Sequence, residues 1–146
     1  MNQRSRASLA FHGIIVIILG LFAGFPYAFV ISGDIGGEVR AWSMAHLEGV
    51  LNGLLLLSVG AAGSAIELAE RQTRLLTVSL LVAGYGNVVA AVIGASFGVR
   101  GLTAAGPPAN FIVFALFTAA IIGVFVGLGL AAFGAFKALH PERRTG

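Results

Sequence analysis

Residues 111–136 read FIVFALFTAAIIGVFVGLGLAAFGAF, a run of the chain that carries no charged side chain. An α-helix rises about 1.5 Å per residue, so roughly 20 residues cross the ~30 Å hydrocarbon core of a bilayer. The run does not alternate between polar and apolar residues, which favours a helix over a strand. This stretch therefore predicts a membrane-spanning helix over residues 110–138.

Three further apolar segments precede it, each close to the roughly 20 residues that a membrane-spanning helix needs. They cover residues 7–31, 45–66 and 74–97. Backbone groups that face lipid must be paired within a helix or a closed barrel, and the continuous hydropathy again favours helices. The first segment exceeds the roughly 7–15 apolar residues of a signal peptide, so we interpret it as a retained helix. We therefore expect an all-α fold, a single domain over residues 1–146 built as a bundle of four transmembrane helices.

The composition agrees with a protein that has lipid as its solvent. The chain has 146 residues, of which 58% are hydrophobic and 10% are charged, whereas soluble proteins carry about 25% charged residues. It contains no cysteine, which excludes disulfides, iron–sulfur clusters and thiolate metal sites. The basic residues lie at the chain ends and in the connectors rather than in one patch, so we expect no nucleic-acid partner.

Lysine and arginine are divided unevenly between the two ends of the predicted bundle. Only Arg40 and Arg100 fall on one side. The other side carries Arg4, Arg6, Arg71, Arg74, Lys137, Arg143 and Arg144. The positive-inside rule therefore predicts a multi-pass protein of the cell (inner or plasma) membrane with both termini in the cytoplasm.

Polar side chains within a span are costly, so each requires an explanation. His46 lies near the outer start of the second predicted helix, and imidazole is a common ligand of metal ions and haem. Gly49 and Gly53 follow on the same helix face and predict a flat groove in which a planar macrocycle would lie. A histidine near a helix end is also commonly an interfacial hydrogen-bonding residue, and both interpretations stay open at this point. The polar residues in the predicted spans are His12, His46, Glu48, Asn52, Tyr85 and Asn87.

The two histidines of the predicted spans lie near opposite membrane surfaces. His12 is at the cytoplasmic end of the first helix, and most of the ~30 Å hydrocarbon thickness separates it from His46. Both histidines therefore cannot hold one iron within a protomer. A haem on His46 would keep an open or weakly held sixth position, which suits substrate binding.

Two asparagines are the next candidates for a site. Asn52 lies six residues after His46, a turn of about 600°, so the two side chains point to different faces of the helix. In a cyclic oligomer, one face could ligate at one interface while the other face meets the next subunit. The alternative is that Asn52 bonds a neighbouring helix. Asn87, deeper in the third helix, is predicted to make an interhelical hydrogen bond, with a role in the cofactor site as the second interpretation.

Charged residues near the outer surface provide the last candidates. Arg100 follows the third helix on the same side as His46, where it or Arg40 could pair with the carboxylates of a haem. A loop-anchoring arginine is the alternative. Glu48 faces away from His46, and the sequence leaves open whether it reaches the headgroups, pairs with Arg40 or is protonated.

The order and spacing of several short motifs resemble the styrene oxide isomerase family. The register holds without a gap from His46 to Thr103, and a short piece of the first helix also matches. The motifs are Trp42, Ala45-His46, Leu51-Asn52-Gly53, Thr73-Arg74-Leu75-Leu76, Gly84-Tyr85-Gly86-Asn87-Val88, Arg100-Gly101-Leu102-Thr103 and His12-Gly13-Ile14.

The resemblance implies a small four-helix membrane enzyme that forms homotrimers and holds haem b between subunits. His46 would be the axial ligand of the haem iron, Asn52 would help to orient the epoxide, and Arg100 would anchor the cofactor. Ferric iron would act as a Lewis acid on a lipophilic epoxide, which rearranges to an aldehyde without net redox change.

Two departures from the family pattern bear on the reaction. Ala83 stands where the family has an aspartate, and Ala91 stands where it has a tyrosine of the active site. Both changes remove polar groups that would position the substrate and leave the haem site largely intact. The alternatives are therefore a membrane haem protein for carriage, sensing or electron transfer, and a small transporter or structural subunit.

Overall fold

The computed structural model describes residues 1–140 and is entirely helical over that range, without a strand. Its four long helices are each long and apolar enough to cross a membrane, so the chain is a multi-pass membrane protein. Arg143 and Arg144, which contribute to the predicted orientation, lie outside the described residues. The helices are α1 (Gln3–Ser32), α2 (Val39–Ala62), α3 (Glu70–Phe97) and α4 (Pro108–Leu139), and a 3₁₀ turn (Gly63–Ala65) follows α2.

Local signals in the sequence set the ends of these helices. The side chain of Asn2 accepts a hydrogen bond from the Ser5 amide at 2.9 Å and caps the start of α1. Gly33 and Gly98 end α1 and α3 in the left-handed conformation, with φ of 80° and 64°, which glycine adopts without a steric penalty. Pro108 occupies the first turn of α4, where its missing N–H costs nothing.

The second helix differs most from its predicted bounds of 45–66. It begins at Val39, because the backbone hydrogen bonds of α2 continue through a polar turn that carries Arg40 and that hydropathy assigns to the connector. It ends at Ala62, where the chain tightens into the 3₁₀ turn. The ends of the other three helices agree with the predicted bounds to within four residues.

The bundle consists of two closely packed helix pairs, α1 with α2 and α3 with α4, joined through contacts of α2 and α1 with α3. Its core includes Leu9, Leu56 and Leu80, which are almost fully buried. The start of α1, the α2–α3 connector and the end of α4 meet at one end of the bundle. There the Met1 ammonium group donates to the Gly63 carbonyl at 2.9 Å, and the amide of Glu67 donates to the Gly134 carbonyl at 3.1 Å.

The outward faces of α1 and α4 are covered with exposed apolar side chains. Phe11 on α1 is 61% exposed and Phe125 on α4 is 74% exposed. In water such faces would be unfavourable, whereas in a bilayer they meet hydrocarbon. These two helices therefore present the largest lipid-compatible surfaces of the protomer.

Candidate functional site

The imidazole of His46 is held against α1 by a backbone hydrogen bond. Its Nδ1 lies 2.9 Å from the carbonyl oxygen of Gly20, and the ring is half-buried. A carbonyl oxygen only accepts, so Nδ1 carries the proton of the neutral ring and Nε2 keeps its lone pair. Within residues 1–140, Nε2 has no hydrogen-bond partner. The ring is thus fixed with the nitrogen that can bind a metal left free.

Two residues of α1 flank this imidazole, and the sequence did not single out either of them. A Cβ atom added to Gly24 would lie 3.1 Å from Nδ1 of His46, so an alanine there would require the ring to shift by a few tenths of an ångström. The Tyr27 ring is nearly parallel to the imidazole, with an interplanar angle of 13° and centroids 6.5 Å apart. Both residues contact His46 only because of the way α1 packs on α2, and the sequence alone does not show this packing.

The groove predicted beside Gly49 and Gly53 is filled by α1 within the protomer, which corrects that interpretation. A Cβ atom on Gly49 would lie 2.6 Å from the backbone nitrogen of Gly20, and one on Gly53 would lie 2.6 Å from the carbonyl oxygen of Gly13. Both glycines therefore allow the backbones of two helices to approach each other closely. No macrocycle fits between α1 and α2 at this level.

A chain of three polar side chains connects α2 to α3. The Nδ2 atom of Asn52 donates both to the backbone oxygen and to Oε2 of Glu48, each at 2.8 Å. The Nδ2 atom of Asn87 donates to Oδ1 of Asn52 at 3.1 Å. Asn52 is only 8% exposed. The structure thus shows the interhelical hydrogen bond that was one interpretation of both asparagines, and it adds Glu48 to them.

A cleft of about 370 Å³ opens between α2, α3, α4 and the loop after α3. This volume lies in the range of small-molecule sites, about 300–1,000 Å³. The apolar part of its wall is built mostly from small residues, and Glu48 is a polar group among them. Its lining includes Glu38, Arg40, Ala41, Glu48, Ala90, Ala91, Gly94, Ala95, Arg100 and Phe117.

Arg100 lies at the mouth of this cleft, on the loop between α3 and α4. Its guanidinium group is 3.7 Å from Glu38, and the Arg100 side chain is 75% exposed, so the pair is weak. Asn110 shapes the loop, because its Oδ1 accepts from the Gly101 amide at 2.9 Å and its Nδ2 donates to the Thr103 carbonyl at 2.8 Å. The guanidinium group of Arg100 is accessible to an anionic ligand.

His46 and the cleft lie on different sides of α2. Glu48 lies two positions after His46, which corresponds to about 200° around a helix. His46 contacts α1, whereas Glu48 contributes to the wall that α2 shares with α3 and α4. One protomer therefore does not bring the imidazole and the cleft together.

His12 is remote from His46, as expected. Its Nδ1 lies 2.8 Å from the Tyr85 hydroxyl of α3. Gly24, which contacts His46, is twelve residues further along α1, a distance of about 18 Å along the helix axis. The two imidazoles of one protomer therefore cannot coordinate the same metal ion.

A model of the family described as styrene oxide isomerase matches residues 5–136, a range that includes parts of all four helices and every residue of the site. No curated protein matches the chain.

Proposed function

Because this chain belongs to the styrene oxide isomerase family, we propose that it binds haem b and rearranges a lipophilic epoxide to an aldehyde. The observation that carries the proposal is the hydrogen bond of His46, which leaves Nε2 as the nitrogen that can bind iron. Its Nδ1 proton is committed to the Gly20 carbonyl, so Nε2 offers a free lone pair of the kind that proximal histidines use for haem iron.

The donors present fit a haem better than a bare metal ion. Across residues 1–140, no group of three or more His, Cys, Asp and Glu side chains lies close enough to hold a metal ion. A haem brings four nitrogen ligands of its own and needs a single imidazole from the protein. His46 would be that ligand, and Arg40 and Arg100 at the cleft mouth would pair with the propionates.

When bound, the ferric haem would supply a Lewis acid that polarises the epoxide oxygen. The chain itself would supply an apolar wall. Ala90, Ala91, Ala95 and Phe117 form the apolar part of the cleft wall, and they offer no hydroxyl or amine side chain to the reacting carbon. Exclusion of water favours rearrangement to the aldehyde over hydrolysis to a diol.

The proposed site requires two copies of the chain. Because His46 and the cleft lie on different sides of α2, a haem on the His46 of one copy can meet a cleft only if the next copy provides it. Such a head-to-tail contact closes into a ring when the rotation permits. Three copies form the ring in the assembly that the family resemblance implies.

Ala91 supports a substrate larger than styrene oxide. It lines the cleft, so an alanine at this position leaves room that a tyrosine would fill. Ala83 is 1% exposed and packs in the bundle, and its small side chain brings no polar group to the substrate. We therefore propose a bulkier lipophilic epoxide as the substrate class.

We also propose that both termini are cytoplasmic, in the inner or plasma membrane. The start of α1, the α2–α3 connector and the end of α4 share one end of the bundle. That end carries the excess of lysine and arginine that the positive-inside rule associates with the cytoplasm.

The proposal is tested by the absorption spectrum of the protein purified in detergent after expression with haem supplied. We expect a Soret band in the wild type that is lost in His46→Ala and kept in His12→Ala, a matched control at the other histidine of the spans. Ferric protein should then convert styrene oxide to phenylacetaldehyde without a reductant. A colourless wild type would refute the proposal and favour a transporter or structural subunit. An unchanged band in His46→Ala would refute the assignment of His46 as the haem ligand.

A membrane haem protein without isomerase activity is the second candidate. It is favoured by Ala83 and Ala91, which lack the polar groups of the family pattern, and by Asn52, whose amide hydrogens are both engaged by Glu48. A Soret band that depends on His46, together with no aldehyde from aryl or alkyl epoxides, would identify it.

A further inference from the structure

Glu48 introduces a carboxylate near the outer end of the apolar segment of α2. It is half-buried, and Gly49, Val50 and Leu51 follow it. An acidic side chain within a span is costly unless it is paired with a cation or has a function. In the part of the chain that the structure describes, Glu48 has no lysine or arginine within ion-pair distance, and its side-chain partner is the neutral amide of Asn52. An ion pair therefore does not explain its presence.

The hydrogen bonds of Asn52 leave Glu48 as the group that faces a ligand. Both donations from the Asn52 amide go to Glu48, and its oxygen accepts from Asn87. Asn52 would have to leave Glu48 before it could donate to a substrate oxygen. Glu48 contributes to the lining of the cleft, and within residues 1–140 its Oε1 has no hydrogen-bond partner.

We propose that Glu48 is a catalytic residue whose carboxylate stabilises positive charge on the substrate carbon, and that Asn52 and Asn87 are its positioning residues. This inference rests on the proposed isomerase function. The Asn52 amide holds Oε2 against α2, so the carboxylate stays at the wall of the cleft and is restrained from attacking the carbon.

The chemistry requires such a charge and no other reagent. One C–O bond of the epoxide breaks, its electron pair stays on oxygen, and the carbon becomes positive. A hydrogen then moves with its electron pair from the neighbouring carbon, and the oxygen forms a C=O bond to the carbon that lost it. No atom enters or leaves. A carboxylate attracts the charged transition state more strongly than it attracts the neutral epoxide, so it lowers the barrier to ring opening.

The test compares Glu48→Gln with wild type in the haem-loaded protein, with styrene oxide as the probe. The introduced amide oxygen can still accept from Asn52, so we expect an unchanged Soret band and an intact fold. Because the charge acts mainly in the transition state, kcat should fall about 10- to 100-fold while KM changes less than about threefold. Glu48→Asp, which keeps the charge but shortens the side chain, should recover part of kcat.

A matched control and a second readout separate catalysis from structure. Glu70→Gln makes the same substitution on an exposed residue at the opposite end of the bundle and should leave kcat unchanged. Para-chlorostyrene oxide, which forms a less stable benzylic cation, should be slowed more in Glu48→Gln than in wild type. A purely structural role would not change this ratio.

Each outcome of the comparison decides between the two proposals. Wild-type kcat in a haem-loaded Glu48→Gln variant would overturn the role of Glu48 and leave the isomerase function standing. Loss of the Soret band in the same variant would also overturn it, because Glu48 would then serve the cofactor. A wild-type protein that binds haem and forms no aldehyde from styrene oxide or from bulkier aryl and alkyl epoxides would refute the isomerase function and the role of Glu48 with it.

Discussion

At the scale of single residues, a backbone carbonyl determines which nitrogen of His46 is free. The acceptor belongs to Gly20, so no side-chain substitution removes it directly. The neighbouring glycine, Gly24, keeps the space that the ring needs. The packing of α1 on α2 therefore determines which nitrogen of His46 is free to bind the haem iron.

Gly24→Ala should disturb this arrangement while leaving the imidazole in the protein. The added Cβ would lie 3.1 Å from Nδ1 of His46 and would push the ring away from the Gly20 carbonyl. Loss of an outer hydrogen-bond partner typically weakens metal binding by about 10- to 100-fold, so we expect haem affinity to fall by at least about tenfold and the Soret band to shift. Haem titration measures both effects.

Gly129→Ala is the control, since no atom lies within 4 Å of the Cβ position there. It should bind haem as the wild type does. Equal haem affinity in Gly24→Ala and wild type would show that the Gly20 hydrogen bond does not set the ligand state of His46.

The sequence predicts where a residue lies along its helix, but it does not predict which residues of the other helices that residue contacts. The separation of His12 from His46 follows from their places in the chain, and the structure agrees with it. The contact of Tyr27 with His46 and the partner of Glu48 depend on which faces the helices turn to each other. Helices that are apolar on every side carry little signal of those faces.

At the scale of helices, small residues mark close contacts between elements rather than a cavity. Gly49 and Gly53 were predicted to line a groove, and α1 occupies that space. A small-xxx-small spacing shows that something approaches the backbone, but it does not show whether this is a helix or a flat ligand. The positions of the four helices were predictable, because apolar runs of this length have few alternatives in lipid.

Gly49→Ala should therefore lower stability. Its Cβ would lie 2.6 Å from the backbone nitrogen of Gly20, and overpacking of this kind typically costs about 1–3 kcal/mol. Thermal unfolding in detergent, followed by helical circular dichroism, should give a lower midpoint than in wild type and in Gly129→Ala. An unchanged midpoint combined with lost haem binding would instead support the groove.

At the scale of the whole molecule, the two halves of the proposed site lie on different sides of α2, and this has a measurable consequence. His46→Ala removes the imidazole, and Ala91→Trp should fill the cleft, so each variant alone should be inactive. Rings that contain both variants should regain activity, because one intact imidazole can face one intact cleft. For a trimeric ring, this restores roughly one site in three.

Two different affinity tags isolate the mixed assemblies, and aldehyde formation measures their activity. Mixed assemblies of wild type with each single variant show how much activity a partly substituted ring retains. If assemblies of the two variants stay inactive while those with wild type are active, each protomer holds a complete site and the shared-site proposal is wrong.

The membrane class and the family were also predictable at this scale. Composition alone indicates lipid as the solvent, and the family match over residues 5–136 confirms the resemblance of the short motifs. The cleft was not predictable, because its wall combines Arg40, Ala91 and Phe117 from three helices. Their proximity depends on the packing of α2, α3 and α4.

The outer faces of α1 and α4 are apolar, and Phe11 and Phe125 point outward. An enzyme with such faces would take its substrate from the bilayer, so the substrate concentration in lipid would determine its rate. A lipophilic epoxide dissolves mainly in the surrounding hydrocarbon, so the bilayer becomes its reservoir. Its mole fraction in lipid, rather than its molarity in water, would then govern saturation. Half-saturating amounts expressed per volume of buffer would rise as more vesicles are added, although the protein itself is unchanged.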